Sequence, residues 1–268
     1  MWALRGLRNG VLTTRWPARP DDYAASTRGP ATVLAPGGQP PSQNDHTSLA
    51  GLCPTGAISQ GDRGAAALEQ GQCIQCGRCV AARPDLFGWQ QGPGSGALTR
   101  SGLVVPPTAE TAESLAAVHR GLRARTRALR RSVHLRHVDA GSDGTEEWEI
   151  LALLNPVYDI HRLGMFFTAS PRHADVLLVT GAGVSGMHEP LRQTYDAMPH
   201  PKVVIAVGTD AVSGGLAGPP PPSVANRGIG GIVPVDVWLP GSPPSPFSIL
   251  YALLLALGRL PSAEGGSR

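Results

Sequence analysis

Apolar and polar positions alternate in regular blocks over the second half of the chain. Four short apolar runs predict strands at residues 132–138, 174–180, 202–208 and 231–237. The two middle runs, DVLLVT and VVIAVG, are continuously apolar. Such runs are typical of strands that are covered on both faces of a sheet.

Segments with helical spacing lie before, between and after these strands. They predict helices at residues 114–131, 146–154, 187–198 and 245–257. Strands that alternate with helices indicate an α/β domain with a mainly parallel sheet. Functional residues of such a sheet belong in the loops at the carboxyl ends of its strands. Those loops span residues 139–145, 181–186, 208–215 and 240–246.

The composition shifts along the chain and indicates its domains. All four cysteines lie in residues 1–90, for which we predict a small domain of its own. Residues 91–113 are rich in Gly, Pro, Ser and Thr, which is typical of a linker. We assign residues 114–260 to the α/β domain and residues 261–268 to a flexible tail.

Charge and hydropathy limit the classes of protein to which the chain can belong. The 268 residues carry a net charge of only +3, and 41% of them are hydrophobic. These values are ordinary for a folded protein and argue against nucleic acid as the main partner. The longest apolar stretch, residues 247–260, contains Arg259 and is too short to cross a bilayer. We therefore expect the chain to be cytoplasmic, with any association with a membrane made through partners.

The cysteines are spaced as ligands of an iron–sulfur cluster. Cys73, Cys76 and Cys79 form a C-x2-C-x2-C run, and Cys53 directly precedes a proline. Bacterial ferredoxins bind a [4Fe–4S] cluster with three such cysteines and a fourth from a remote Cys-Pro pair. The four residues therefore form one complete set of metal ligands for a single [4Fe–4S] cluster.

The second cluster of the two-cluster ferredoxin pattern is missing. Its ligands would fall at Gln43, His46, Leu49 and Arg83, none of which is a cysteine. A structural zinc site stays open as an alternative, although zinc usually takes paired cysteine arms. Free or disulfide-bonded cysteines are a further alternative, and a cytoplasmic location disfavours disulfides.

Residues 1–89 resemble the ferredoxin-type small subunit of formate hydrogenlyase and its counterpart in complex I, the NADH-quinone oxidoreductase. The resemblance is carried by the basic amphipathic start MWALRGLRNGVLTTRWP, Arg-Gly-Pro at 28–30, CPTGAI at 53–58 and CIQCGRC at 73–79. It implies a small α+β domain of the bacterial-ferredoxin type.

Residues 132–260 resemble the [NiFe]-hydrogenase-type small subunit of the same complexes, whose counterpart in complex I holds the last cluster before quinone. The matching stretches are NPVYDIHRLG (155–164), ASPRHADVLLVTG (169–181), LRQTYDAMPHPKVVIAVG (191–208) and GIVPVDVWLPGSPPSPFSILYALLLALG (231–258). The whole chain then looks like a fusion of two neighbouring subunits. The resemblance implies a flavodoxin-like α/β domain that packs against a hydrogenase-type or complex I-type large subunit, above membrane subunits.

The second resemblance departs from the family at its metal ligands. The family binds a [4Fe–4S] cluster through G-C-x-G-C-E, G-x-C and G-C-P-P, and here the four cysteine positions hold Ser142, Thr145, Asp210 and Ser242. Hydroxyls and a carboxylate are poor ligands for a soft iron–sulfur core, so we expect this cluster to be absent. We also expect the four side chains to share one pocket, where Asp210 accepts hydrogen bonds from Ser142, Thr145 or nearby backbone N–H groups.

One motif competes with this interpretation. Gly181, Gly183 and Gly186 form G-x-G-x-x-G after an apolar strand and before a helix, and Asp210 ends the next apolar strand. This is the context of a dinucleotide-binding turn. A tight glycine-rich turn that binds nothing is the simpler interpretation, because the family has a turn at this place without a nucleotide.

The function that these observations favour is that of an accessory iron–sulfur subunit for electron transfer and docking. It would serve in a membrane-associated complex I-like or formate-hydrogenlyase-like assembly, with a cluster-less, structural second domain. No residue is assigned a catalytic role. The alternatives are an NAD(P)-dependent oxidoreductase that uses the glycine motif and a purely structural scaffold subunit.

Overall fold

The computed structural model describes residues 2–34, 49–61, 65–107, 112–129, 132–216 and 228–260. The predicted tail at 261–268 and the positions of Gln43 and His46 lie outside these residues. The described chain has two halves, and each half has its own sheets and its own apolar core.

The first half is built of short elements. Its helices are α1 (Trp2–Asn9), α2 (Asp22–Ala25) and α3 (Arg78–Ala82). Its strands are β1 (Arg28–Val33), β2 (Ile58–Gln60), β3 (Ala66–Glu69), β4 (Phe87–Gln91) and β5 (Val104–Val105).

The second half has longer elements. Its helices are α4 (Ala112–Thr126), α5 (Thr145–Ala152), α6 (His188–Ala197), α7 (Thr209–Ser213) and α8 (Pro246–Ala256). Its strands are β6 (Val133–Asp139), β7 (Met165–Phe167), β8 (Val176–Thr180), β9 (Val203–Val207) and β10 (Val237–Leu239).

Strands β6 to β10 form one parallel sheet in the order β10-β9-β8-β6-β7. Counted from β6, this is the strand order 2-1-3-4-5 of flavodoxin-like sheets. Every residue of β8 and β9 is buried, because α4, α5 and α8 cover one face of the sheet and α6 and α7 cover the other. The predicted α/β domain is confirmed, and the carboxyl ends of its strands share one edge.

Helix α8 carries the longest apolar stretch of the chain and lies inside this half. Ser245 caps it by accepting a hydrogen bond from the Ser248 N–H, and Pro246 opens its first turn. Ile249, Leu250 and Leu253 are completely buried. Within the described ranges, no helix is long and apolar enough to cross a membrane.

The predicted strand at 231–237 is wrong. Residues Gly228–Gly231 form a 3-10 turn, and β10 begins only at Val237. A Cβ at Gly228 would lie 2.1 Å from the carbonyl oxygen of Ala211, so this glycine-rich segment is packed against α7 instead of extending into a strand. The sequence pattern also does not predict β7, because three residues are too few to show an alternation.

Antiparallel pairs make up the first half. Strand β1 pairs with β4, and β2 pairs with β3. Residues 49–52 form a helical turn before β2, and α3 lies between β3 and β4. The core contains Leu49, Leu68, Phe87 and Cys73, and it is much smaller than the core of the parallel sheet.

The segment predicted as a linker, 91–113, makes specific contacts with both halves. Its strand β5 pairs with β3, and Ala97 forms a bridge with Trp238 at the edge of the parallel sheet. Leu98 and Leu103 are buried. The segment therefore joins the small sheet to the large one.

Candidate functional site

The four cysteines line one pocket in the first half. Cys53 follows the helical turn at 49–52, Cys79 lies on α3, and Cys73 and Cys76 lie on the loop between them. This loop turns sharply, since Gln75 and Gly77 both have positive φ angles of 56° and 76°. A Cβ at position 77 would lie 3.2 Å from the ring of Trp89, so the turn also packs closely.

A buried hydroxyl joins the two segments that carry the cysteines. Thr55 donates a hydrogen bond of 2.7 Å to the carbonyl oxygen of Gln72, the residue before Cys73. The Ala57 N–H donates to the sulfur of Cys53 over 3.3 Å. Sequence reasoning does not identify Thr55, although it follows the Cys-Pro pair directly.

The electrostatics of the pocket suit a cationic metal centre. Burial raises the pKa of the Cys73 thiol, and the nearby thiols of Cys53 and Cys76 raise it further. Burial, and then the thiol of Cys73, likewise raises the pKa of Cys79. A cation among these sulfurs would offset both effects and stabilise the thiolates.

The donor set fits an iron–sulfur cluster. Four thiols are soft ligands, which iron–sulfur clusters prefer. In the described ranges, no group of three or more His, Cys, Asp or Glu side chains is arranged to hold a metal ion.

Oxygen side chains occupy the loop between β6 and α5 in the second half. Ser142 donates to Glu147 over 3.0 Å and accepts a hydrogen bond from the Gly144 N–H. Thr145 donates to Asp143 over 2.6 Å. Our expectation that these hydroxyls bond to Asp210 is corrected, because both find carboxylates within their own loop and helix.

The loops that carry Asp210 and Ser242 are joined by their backbones. The Thr209 N–H donates to the carbonyl oxygen of Gly241 over 2.7 Å, and the Gly241 N–H donates to the Thr209 hydroxyl over 3.1 Å. These loops follow β9 and β10, which are neighbours in the sheet. Asp210 and Ser242 are therefore held at the same sheet edge.

Glu146 connects these loops with the loop after β6. It is only 1% exposed, and a Cβ at Gly208 would lie 2.6 Å from its carboxylate oxygen. Burial, together with the charges of Asp210 and Asp143, raises the pKa of Glu146 to about 7. Burial and the charge of Asp143 also raise the pKa of Asp210. The carboxyl groups at 143, 146 and 210 thus interact at this edge of the sheet.

The burial of Glu146 is not expected from the sequence, which indicates a charge at the start of a helix near the positive end of its dipole. Glu146 is the last residue of the G-x-x-G-x-E pattern. Its place in this pattern is the feature of the sequence that indicates its proximity to the same loops.

The two sites are in direct contact. The Thr209 hydroxyl donates a hydrogen bond of 2.9 Å to the carbonyl oxygen of Cys73. Close by, a Cβ at Gly71 would lie 3.0 Å from the side chain of Val212 on α7. The cysteine pocket therefore lies against the helix that carries Asp210.

The glycine motif has a structural explanation. Gly181 has a φ of +82°, and a Cβ there would lie 2.5 Å from the backbone of Gly141. Gly183 has a φ of +73° and faces the backbone of Gly228 at 3.0 Å. Gly186 has no other atom within 4 Å of its Cβ position, and α6 begins only at His188. The first two glycines allow neighbouring loops to approach, and the third lacks the close packing that a dinucleotide fold requires.

A sequence comparison identifies the family. The pattern of the family described as NADH ubiquinone oxidoreductase, 20 Kd subunit, matches residues 144–256. The probable membrane-bound hydrogenase subunit mbhJ of Pyrococcus furiosus is 42% identical over 130 residues, which are 48% of this chain and 77% of that protein. The chain belongs to the NADH ubiquinone oxidoreductase 20 Kd subunit family. The resemblance stated for residues 132–260 is thereby confirmed.

Other relatives of this 20 Kd subunit family member are also parts of larger enzymes. Formate hydrogenlyase subunit 7 of Escherichia coli is 38% identical over 160 residues, and this chain spans 60% of its length. That match covers 60% of the chain. An NADH-quinone oxidoreductase subunit of Hydrogenobaculum is 47% identical over 97 residues, which are 36% of this chain and 53% of that protein.

Proposed function

We propose that this chain is an accessory iron–sulfur subunit of a membrane-associated assembly of the complex I or formate hydrogenlyase type. Cys53, Cys73, Cys76 and Cys79 would hold one [4Fe–4S] cluster, which passes single electrons when bound. The observation that carries the proposal is that all four thiols line one pocket, directly against α7 of the family domain.

The topology of the first half supports a ferredoxin-type domain fused to the family domain. Its outer strands β1 and β4 pair, its inner strands β2 and β3 pair, and a helical segment follows β1 and another follows β3. Cys53 directly follows the first helical segment and Cys79 lies on the second, and both line the cysteine pocket. This is the arrangement expected if residues 1–90 resemble the ferredoxin-type small subunit.

Two residues at positions where a second cluster would be bound make other contacts. One packs in the core and the other forms an ion pair. Leu49 is 3% exposed and belongs to the core of the first half. Arg83 ends α3 and forms an ion pair of 2.6 Å with Asp85. These contacts support a single cluster per chain.

The second half would dock without a cluster of its own. Ser142 and Thr145 are hydrogen-bonded to carboxylates, and the loops of Asp210 and Ser242 are joined through Thr209 and Gly241. Oxygen ligands of this kind do not match a soft iron–sulfur core. The polar groups of the former ligand positions thus stabilise the loops in place of the metal.

A candidate docking face lies next to these positions. Trp148, Leu151 and Leu154 project from α5 and the turn after it, and they are 73%, 55% and 43% exposed. Their spacing of three residues places them on one side of the helix. We assign this face to the large subunit of the complex, and Trp148→Asp should abolish co-purification of that subunit. Membrane subunits of the same complex would hold the protein at the cytoplasmic face of the membrane, and nucleic acid has no role.

The iron content of the whole chain tests the proposal. Protein purified without oxygen should contain about four irons and four sulfides per chain. Cys76→Ser should lose them, whereas the matched variant Ser142→Ala should retain them. Bound zinc, about eight irons, or iron that survives the Cys76 substitution would contradict the proposal. A cluster that no reductant can reduce would favour the structural scaffold.

A further inference from the structure

The first helix exposes an apolar surface that nothing in the described chain covers. Leu4 and Leu7 on α1 are 70% and 80% exposed, and Val11 and Leu12 just after it are 81% and 56% exposed. Cβ atoms placed at Gly6 and Gly10 would meet no other atom within 4 Å. Helix α1 therefore stands away from the rest of the described chain.

A helix in this position needs a surface to lie on. Isolated helices shorter than about 12 residues are marginal in water, and α1 has eight. Leu4 and Leu7 are three residues apart and so lie on the same side of the helix. Without a surface against them, these side chains would stay in water and contribute nothing to the stability of the helix.

The chain after α1 is fixed to the second half. Thr13 donates a hydrogen bond of 2.8 Å to the carbonyl oxygen of Pro156, and the Thr14 N–H donates one of 2.8 Å to that of Val157. Trp16 packs edge-on against Phe247 at the start of α8, with ring centroids 6.0 Å apart. These contacts fix the chain shortly after α1 ends.

The charge of this segment is entirely positive. Arg5, Arg8, Arg15 and Arg19 are all exposed, and residues 1–20 contain no Asp or Glu. The first acidic residue, Asp21, accepts a hydrogen bond from the Thr14 hydroxyl. Exposed leucines flanked by arginines without acidic residues are complementary to a bilayer surface with anionic headgroups.

We propose that α1, together with Val11 and Leu12, lies in the headgroup region of an anionic bilayer and contacts the lipids directly. The leucines would enter the boundary of the acyl chains while Arg5 and Arg8 pair with phosphates. This goes beyond the proposed function, because it requires neither a partner subunit nor a bound cluster. Covering of the same face by a partner protein is the alternative that the test addresses.

Vesicle flotation of the full-length chain tests the proposal. Vesicles of phosphatidylcholine mixed with phosphatidylglycerol should carry the protein at low salt, and vesicles of phosphatidylcholine alone should not. Leu4→Asp combined with Leu7→Asp should weaken binding at least about a hundredfold. Arg5→Gln combined with Arg8→Gln should weaken it roughly thirtyfold and reduce its dependence on salt. The matched control is Leu216→Asp, which changes another exposed leucine and should bind as the unmodified chain does.

Three results would overturn the proposal. In the first, the chain does not float with anionic vesicles. In the second, it binds equally to both kinds of vesicle. In the third, Leu216→Asp loses as much binding as the variant with Leu4→Asp and Leu7→Asp. The first of these would assign the α1 face to a protein partner. Since the readout is lipid binding by this chain alone, it does not depend on the iron content that tests the proposed function.

Discussion

The cysteine pocket and the loops around Glu146 lie on either side of one hydrogen bond, from Thr209 to the carbonyl oxygen of Cys73, yet their chemistry is opposite. In the pocket, burial and the neighbouring thiols raise the pKa of Cys73 and Cys79 and so oppose their ionisation. The loops present hydroxyls and carboxyls that bond to one another. A cation would stabilise thiolates in the pocket, whereas the Ser142 and Thr145 hydroxyls of the loops already have carboxylate partners.

The two sites also differ in what holds their loops in place. The second half is held together by a sheet with fully buried central strands, and the side chains of Ser142 and Thr145 form hydrogen bonds within the loop that follows β6. The Thr209 N–H donates to the carbonyl oxygen of Gly241, and the Gly241 N–H donates to the Thr209 hydroxyl, so these two loops are joined directly. The first half has a small core in which Cys73 itself is buried, so this proposed cluster ligand is also part of its packing.

Removal of iron should have the largest effect on stability, and it should affect the two halves differently. We expect a chelator under reducing conditions to destabilise the first half by several kcal/mol and unfold it, because its core is too small to compensate for the lost ligand bonds. Hydrogen exchange should then lose the protection of β1 to β4 while β8 and β9 stay protected. Equal loss of protection in both halves, or in neither, would contradict this difference.

Restoring the thiols should make the second site resemble the first. Ser142→Cys, Thr145→Cys, Asp210→Cys and Ser242→Cys combined should raise the iron content from about four to about eight per chain. Electron paramagnetic resonance of the reduced protein should show two interacting centres. The matched triple variant that keeps Ser242 lacks one thiolate and should gain less iron. A folded quadruple variant without extra iron would mean that these residues do not occupy former ligand positions.

Glu146 offers a smaller test, through pH. Its pKa is raised to about 7 by burial, so over pH values between its ordinary 4.5 and about 7 the folded state keeps a proton that the unfolded state has released. Stability therefore falls as the pH rises through this window. Glu146→Gln cannot ionise, and its stability relative to the unmodified chain should improve by on the order of 2 kcal/mol between about pH 4.5 and pH 8.

Denaturant titrations at both ends of the window measure this effect. The control is Glu113→Gln on α4, which measures how the loss of an exposed carboxylate changes the pH dependence of stability. An unchanged pH dependence in the Glu146 variant would mean that this carboxyl is charged in the folded protein.

The sequence was sufficient for features that are local or strongly periodic. The runs that form β8 and β9 are entirely apolar, and the three cysteines at 73–79 are close enough in sequence to show their common role. The contact of Thr209 with Cys73 joins residues 136 apart and has no local pattern. Glu146 looks like an ordinary helix-start charge, and only the fold buries it. The strand predicted at 231–237 failed because glycines there serve close packing, which an apolar pattern does not reveal.

The smallest expected effect concerns the glycine motif at Gly181, where we expect added nucleotide to leave the stability of the protein unchanged. A nucleotide that bound there would raise the melting temperature in proportion to its concentration. We expect NAD and NADP at millimolar concentration to leave it unchanged, because the space beside Gly181 and Gly183 is filled by neighbouring backbone. Gly183→Ala should lower the melting temperature by itself, since its φ is positive and a Cβ would lie 3.0 Å from the carbonyl oxygen of Gly228. Gly186→Ala has open space and should not. A saturable, nucleotide-dependent rise that Gly183→Ala abolishes would instead give this edge of the sheet a ligand of its own.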